Sequence, residues 1–137
     1  MLRPETRNRA RALQLLYAWD VRGHPPIRGV AAEVLHQHAH WRFAVEGAEP
    51  LASAVVANVV ALDACIAESV DNWRPERVGV IERNIIRIGL HELNTGSVPP
   101  RVVISEAVQL AHWFAGPKAP RFVNGVLDGL ARRAGLL

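Results

Sequence analysis

LASAVVANVVALDACIAESV, residues 51–70, decides the fold class, because it can be read two ways. Its β-branched valines suit a pleated strand. Its apolar spacing suits a helix: Leu51, Val55, Val59, Leu62, Ile66 and Val70 step by three or four, so one face is continuously apolar. Strict alternation is absent and the stretch is too long for a strand, so the helical reading prevails. Ala52, Val56 and Val60 widen the stripe, which predicts burial on more than one side.

Helical spacing recurs outward in both directions. Toward the N-terminus, RNRARALQLLYAWDV carries Ala10, Leu13, Leu16, Tyr17 and Trp19 on a helical stripe. Thr6 is its expected N-cap, and Gly23, Pro25 and Pro26 end it. A shorter helix is expected over Val30–His40, and the segment Phe43–Pro50 reads as a loop or irregular lead-in. Toward the C-terminus, Asp71 and Asn72 interrupt the pattern and Pro75 opens PERVGVIERNIIRIGLHEL. Val78, Ile81, Ile85 and Ile88 share a face there, and Gly79 permits a split into a short and a longer helix. Asn94, Thr95 and Gly96 end that element, and Pro99 and Pro100 set up the next. Its stripe is Val103, Ala107, Leu110, Ala111 and Phe114. A loop with Gly116, Pro117 and Pro120 leads to a last helix carrying Val123, Val126, Leu127, Leu130 and Ala131. No segment reads as a strand. The fold class is therefore all-α, with six or seven helices whose short connections favour antiparallel neighbours.

A chain of 137 residues suggests a single domain, 1–137, with a real hydrophobic core. No apolar run reaches the roughly 18 residues of a membrane span, and MLRPETRNRAR lacks signal-peptide character, so a cytoplasmic protein with no membrane partner is expected. The single cysteine, Cys65, excludes an internal disulfide and a multi-cysteine metal cluster; it reads as a buried small hydrophobe. The net charge of +3 is unevenly spread. Residues 1–28 hold six arginines against Glu5 and Asp20; residues 29–72 hold one arginine against six acids; residues 73–137 hold nine basic residues against five acids. Basic ends and an acidic middle suit two faces for two partners, or are ordinary solvated charge.

Catalytic constellations are missing: there is no phosphate-binding loop, no GxGxxG and no zinc-protease motif. Glu82 and Arg83 read as a solvated or interface face rather than an acid/base pair. His36, His38 and His40 are the one tempting cluster. His36 and His40, four apart, would share a helix face, but two histidines without a third ligand make a weak metal site. No catalytic residue, metal site or cofactor is expected.

The binding signals lie at the two ends. Arg7 and Arg11 share a face of the first helix while Arg9 points elsewhere; guanidinium groups at a helix start can meet phosphates and stack on bases, although they also solubilise a terminus. In RFVNGVLD (121–128), Phe122 follows Lys118 and Arg121 and lies about 100° from Val123, at the edge of the stripe. An aromatic beside two cations suits stacking on an unpaired base, whereas geometry alone favours partial core packing. Asn124 could cap the helix or hydrogen-bond a base edge.

RARALQLLYAWD, IERNIIRIGLHEL, VPPRVVISEAVQLAHWF and RFVNGVLD, in that order and spacing, resemble the NusB transcription antitermination factors. The likeness covers the first helix and nearly everything from residue 71 onward, and carries little signal over residues 24–50. It implies two packed three-helix bundles, about seven helices in all, and a non-enzymatic role. NusB proteins pair with NusE, a small-subunit ribosomal protein, and bind the single-stranded boxA element of nascent RNA, helping the transcription elongation complex read through terminators in ribosomal RNA operons. By position, the resemblance assigns RNA contacts to Arg7, Arg9, Arg11, Arg121 and Phe122, and the NusE side to Glu76 and Glu82. Lys118 and Asn124 join the RNA set from their place beside Phe122. Asn8, Ser105 and His112 depart from the residues usual in the family. Two other readings stand beside this one: a helical protein-interaction module, and an accessory domain for an rRNA methyltransferase whose catalytic part would lie on another polypeptide. Helical surfaces rich in Val and Ala also leave a homodimer open.

Overall fold

The computed structural model describes residues 3–38 and 42–137, with side chains in the second segment from residue 47 onward. Every regular element in that range is helical: α1 (Pro4–Val21), α2 (Ile27–Gln37), α3 (Arg42–Ala57), α4 (Val59–Ser69), a 3-10 turn (Pro75–Arg77), α5 (Val80–Thr95), α6 (Pro100–Phe114) and α7 (Ala119–Arg133). The chain forms two compact units, Met1–Ala57 and Asn58–Leu137. Among the described residues no single helix is long and apolar enough to cross a membrane.

In the first unit α1 packs on α3 and α2, and α2 on α3. Pro4 opens α1, where a missing N–H costs nothing and the fixed φ suits the first turn. Thr6 is not the N-cap expected: Arg3 holds that place, and Thr6 lies buried inside the helix. Leu13, Leu15, Leu16 and Trp19 supply the core face. Gly23 (φ +80°) and His24 (φ +67°) turn the chain out of the helix. The His24 ring stacks on Trp19 at 3.8 Å, and its Nε2 lies 2.8 Å from Asp20 Oδ1.

The loop expected over 43–50 is a helix: α3 starts at Arg42 and runs through Pro50. Gly47 and Pro50 are poor helix formers, which is why local reading stopped there. Packing overrides them. A Cβ on Gly47 would sit 2.4 Å from Asn8 Oδ1, so the glycine leaves room for the Asn8 side chain of α1 against α3. Ala48, Ala52 and Val55 are fully buried on the same helix, and Pro50 is exposed.

The single helix expected over 51–70 is divided at Asn58 (φ −113°, ψ 11°), which lies outside both α3 and α4. The i+4 stripe runs unbroken through the division because each helix buries its own part of it: Val55 on α3, Leu62 and Ile66 on α4. The wider stripe is not buried throughout; Val60 is 83% exposed. Cys65 is half-buried rather than buried.

Within the second unit α5 packs against α4, α6 and α7, and α6 against α7. The split at Gly79 is present: the 3-10 turn precedes it and α5 follows, closed by Gly96 in the left-handed region (φ +71°). Val78 and Ile81 are only half-buried, but residues 84–90 are buried without interruption, so mid-α5 is enclosed on all sides. A Cβ on Gly89 would lie 2.7 Å from Leu127 Cδ1, which fixes the close approach of α5 and α7. The stripes of α6 and α7 lie buried as read, except that Phe114, at the end of α6, is exposed.

Candidate nucleic-acid interface

Pro120 sits in the first turn of α7, and the Phe122 N–H donates to the Lys118 carbonyl at 3.3 Å, so the helix begins directly after Lys118. Val123, Val126, Leu127 and Leu130 fill the core face. Phe122 is turned off that face and is 39% exposed. Its ring forms one wall of a cleft of about 540 Å³ lined by Pro117, Lys118, Arg121 and Phe122. Both cations are exposed, and neither is in an ion pair among the described residues. An apolar ring framed by a guanidinium and an ammonium can stack on a base while the cations meet phosphate. Phe122 is thus partly packed, as helix geometry favoured, and partly open to the cleft.

Asn124 does not share this cleft. Two residues further along, it lies about 200° round the helix from Phe122. It lines a second cleft, of about 440 Å³, between α6 and α7.

The α1 arginines separate by depth. Arg7 is exposed. Arg11 is half-buried and donates from Nη1 to Gln14 Oε1 at 2.8 Å. Arg9 is 6% exposed and has partners within the protein, beside the equally buried Thr6. Burial and partners set Arg9 apart from exposed Arg7 within the expected RNA-facing set. Position i+2 on a helix lies about 200° away, so a residue flanked by exposed Arg7 and half-buried Arg11 faces the core.

Of the acidic positions, Glu76 is exposed on the 3-10 turn and Glu82 is half-buried in the first turn of α5. The Glu82 carboxylate folds back over Gly79, where a Cβ would lie 2.4 Å from its Oε2. A carboxylate there meets the positive end of the helix dipole. Arg83 Nη1 donates to the Pro75 and Val78 carbonyls at 3.0 and 3.2 Å, pinning the turn that carries Glu76.

Sequence reading missed Arg87. It is 3% exposed and grips Asp63 of α4 with two bonds, Nε to Oδ1 at 2.9 Å and Nη2 to Oδ2 at 2.8 Å. Nη1 donates to Asn84 Oδ1 at 3.0 Å, and Asn84 Nδ2 in turn donates to the Val80 carbonyl at 2.8 Å. The available signal was an arginine inside the apolar run IIRIGL. Tyr17, assigned to the α1 stripe, is instead exposed.

His36 is exposed in the last turn of α2, which ends at Gln37; His38 lies beyond it with a partner, and His40 is outside the described residues. Among the described residues no three metal-ligating side chains cluster.

The NusB family model matches residues 6–132. The chain is 38% identical over 129 residues to the transcription antitermination protein NusB of a Nitratiruptor species, covering 93% of this chain and 92% of that protein. The solution structure of NusB from Aquifex aeolicus superposes with a TM-score of 0.82 at 32% identity, covering 96% of this chain and 89% of that one. A crystal structure of the antitermination factors NusB and NusE in complex with dsRNA matches with a TM-score of 0.82 at 31% identity, covering 97% and 99% of the two chains.

Proposed function

The chain belongs to the NusB family, and we propose that it is a non-enzymatic transcription antitermination factor that pairs with NusE and binds boxA-type single-stranded RNA, supporting read-through in ribosomal RNA operons. One observation carries the RNA part: the Phe122 ring stands 39% exposed in a cleft it shares with Lys118 and Arg121. Phe is among the residues most often buried, and leaving a ring in water forfeits part of its burial energy. Stacking a base on it recovers that energy, and the flanking cations neutralise the phosphates on either side. Exposed Arg7 adds a phosphate contact from α1, and Arg11 does so by exchanging Gln14 for phosphate.

The NusE side rests on Glu76 and Glu82. Arg83 holds the Glu76 turn in place, and the α5 N-terminus orients Glu82. Carboxylates presented on a pinned turn and at a helix start suit a basic ribosomal protein, because opposite charge steers docking. A cytoplasmic setting follows from this role.

The test is binding of labelled boxA-type RNA, with and without NusE, at two salt concentrations. NusE-enhanced binding that weakens as salt rises is expected. Absence of RNA binding in every condition, with NusE binding retained, would reduce the chain to a protein-interaction module.

A further inference from the structure

The cleft between α6 and α7 belongs to no role assigned so far. On α6, Arg101, Ser105, Gln109 and His112 recur at intervals of three or four, so they form one face; Asn124 and Asp128, four apart on α7, face them. Ile104, Val108 and Leu137 give the cleft an apolar floor. Because α6 and α7 are joined by a short connection and run antiparallel, His112 and Asn124 mark one end and Arg101 and Leu137 the other. Arg101 and His112 are separated by about 16 Å along α6, from 11 residues at ~1.5 Å each. That span exceeds a single anion and suits a short length of strand. The Asp128 carboxylate, between the ends, is neutralised by Arg132, whose Nε donates to Oδ2 at 2.8 Å. Its other oxygen remains an acceptor.

We infer that this cleft is a second RNA subsite, which takes the nucleotides next to the one stacked on Phe122. The inference rests on the RNA-binding reading above. The two clefts lie on opposite flanks of the same helix start, so a strand leaving the Phe122 ring across the first turn of α7 enters at Asn124 and His112. Arg101 and His112 meet its phosphates, and the apolar floor receives one base. Asn124 and Gln109 supply amide donors and acceptors for the base edge. An ionised carboxylate only accepts, so Asp128 favours a base with an exocyclic amine, adenine, cytosine or guanine, over uracil, whose one edge donor is N3–H. A protein segment is the less suited occupant: N–H donors at the two ends of the cleft, the Arg101 guanidinium and the His112 ring, stand about 16 Å apart, as successive acceptors along a phosphate backbone require.

The experiment compares a core single-stranded RNA, just long enough to bind in a Phe122-dependent way, with the same RNA extended by three adenosines or three uridines at either end. The native protein should bind one adenosine-extended RNA roughly tenfold tighter than the core, the factor one added contact of about 1.4 kcal/mol supplies. Uridine extension should gain clearly less. The variants Arg101→Glu and Gln109→Glu, at positions outside the buried core, should keep native affinity for the core and for NusE, and lose the gain. Equal gain in native and variant proteins, equal gain for uridine and adenosine, or no gain at either end overturns the proposal. Loss of NusE binding in the variants with the gain intact makes the cleft a protein surface instead, and overturns it too. Failure of the core RNA to bind at all refutes the RNA-binding reading itself, a result distinct from the others.

Discussion

Replacing Phe122 by alanine separates a binding ring from a packing ring, and the structure sets both magnitudes. A fully buried Phe contributes about 1.5–3 kcal/mol by burial. With the ring 39% exposed, roughly three-fifths of that is at stake, or ~1–2 kcal/mol. No closed cavity forms, because the ring lines an open cleft, so the additional cavity cost of core truncations does not apply. Loss of one stacked base costs about 1–3 kcal/mol, or roughly 5- to 150-fold in RNA affinity. The assay pairs fluorescence anisotropy on boxA-type RNA, with and without NusE, with denaturant unfolding of the same preparation. The expected outcome is a large loss of RNA affinity, an unchanged slope of affinity against salt because no charge is removed, and a modest fall in stability. NusE binding should be nearly unchanged. A stability loss of about 3–5 kcal/mol, typical of core Phe→Ala, or RNA affinity within about twofold of native in a folded variant, would refute the reasoning.

Lys118→Ala and Arg121→Ala should each weaken RNA binding uniformly across sequences and lower the log–log salt slope by about 0.7, the value per neutralised phosphate on a single strand; titrations at four salt concentrations measure this. Arg87→Met strands Asp63, and Asp63→Asn strands a nearly buried guanidinium; denaturant unfolding should show a loss of about 3 kcal/mol for either, and the double variant should lose less than the two together. Reversing charge in Glu82→Lys should weaken NusE binding before RNA binding, and should also cost roughly 0.3–1 kcal/mol of stability at the α5 N-terminus; calorimetric titration against NusE alongside unfolding separates the two effects. Gly89→Ala forces a Cβ against Leu127 and should destabilise by about 1–3 kcal/mol while leaving RNA affinity per folded molecule unchanged.

Sequence reading located most of the helices because their signals are local. Pro75, Gly79, Gly96 and Pro100 mark ends through backbone geometry that no distant contact alters. The failures fall where packing outweighs local preference. Gly47 and Pro50 argue against a helix residue by residue, yet α3 passes through both because Ala48, Ala52 and Val55 are buried on the same helix. Asn58 ends one helix and begins another, but the apolar period on its two sides is the same, so periodicity could not register the division. Arg87 was passed over for a related reason: charge is assigned to the surface by default, and only the place of Asp63 on the packed neighbour shows that this arginine is satisfied inside.

The candidate interface was legible as composition but not as grouping, and the helical period explains the difference. Residues 118, 121, 122 and 124 look like one cluster along the chain. At about 100° per residue Phe122 and Asn124 are about 200° apart and cannot share a face, while Arg121 lies between them, about 100° from Phe122 and about 60° from Asn124. The same arithmetic applied to Arg7, Arg9 and Arg11 separates the middle arginine from the other two, and burial then shows which side is inward. What sequence alone could not supply was the zero of the angle, since Phe122 at the edge of a stripe is covered or bare according to the residues facing it. Pro117 and Lys118 line a cleft beside the ring rather than covering it, so the ring stays open. That openness has an energetic cost in the free protein, which a stacked base would offset.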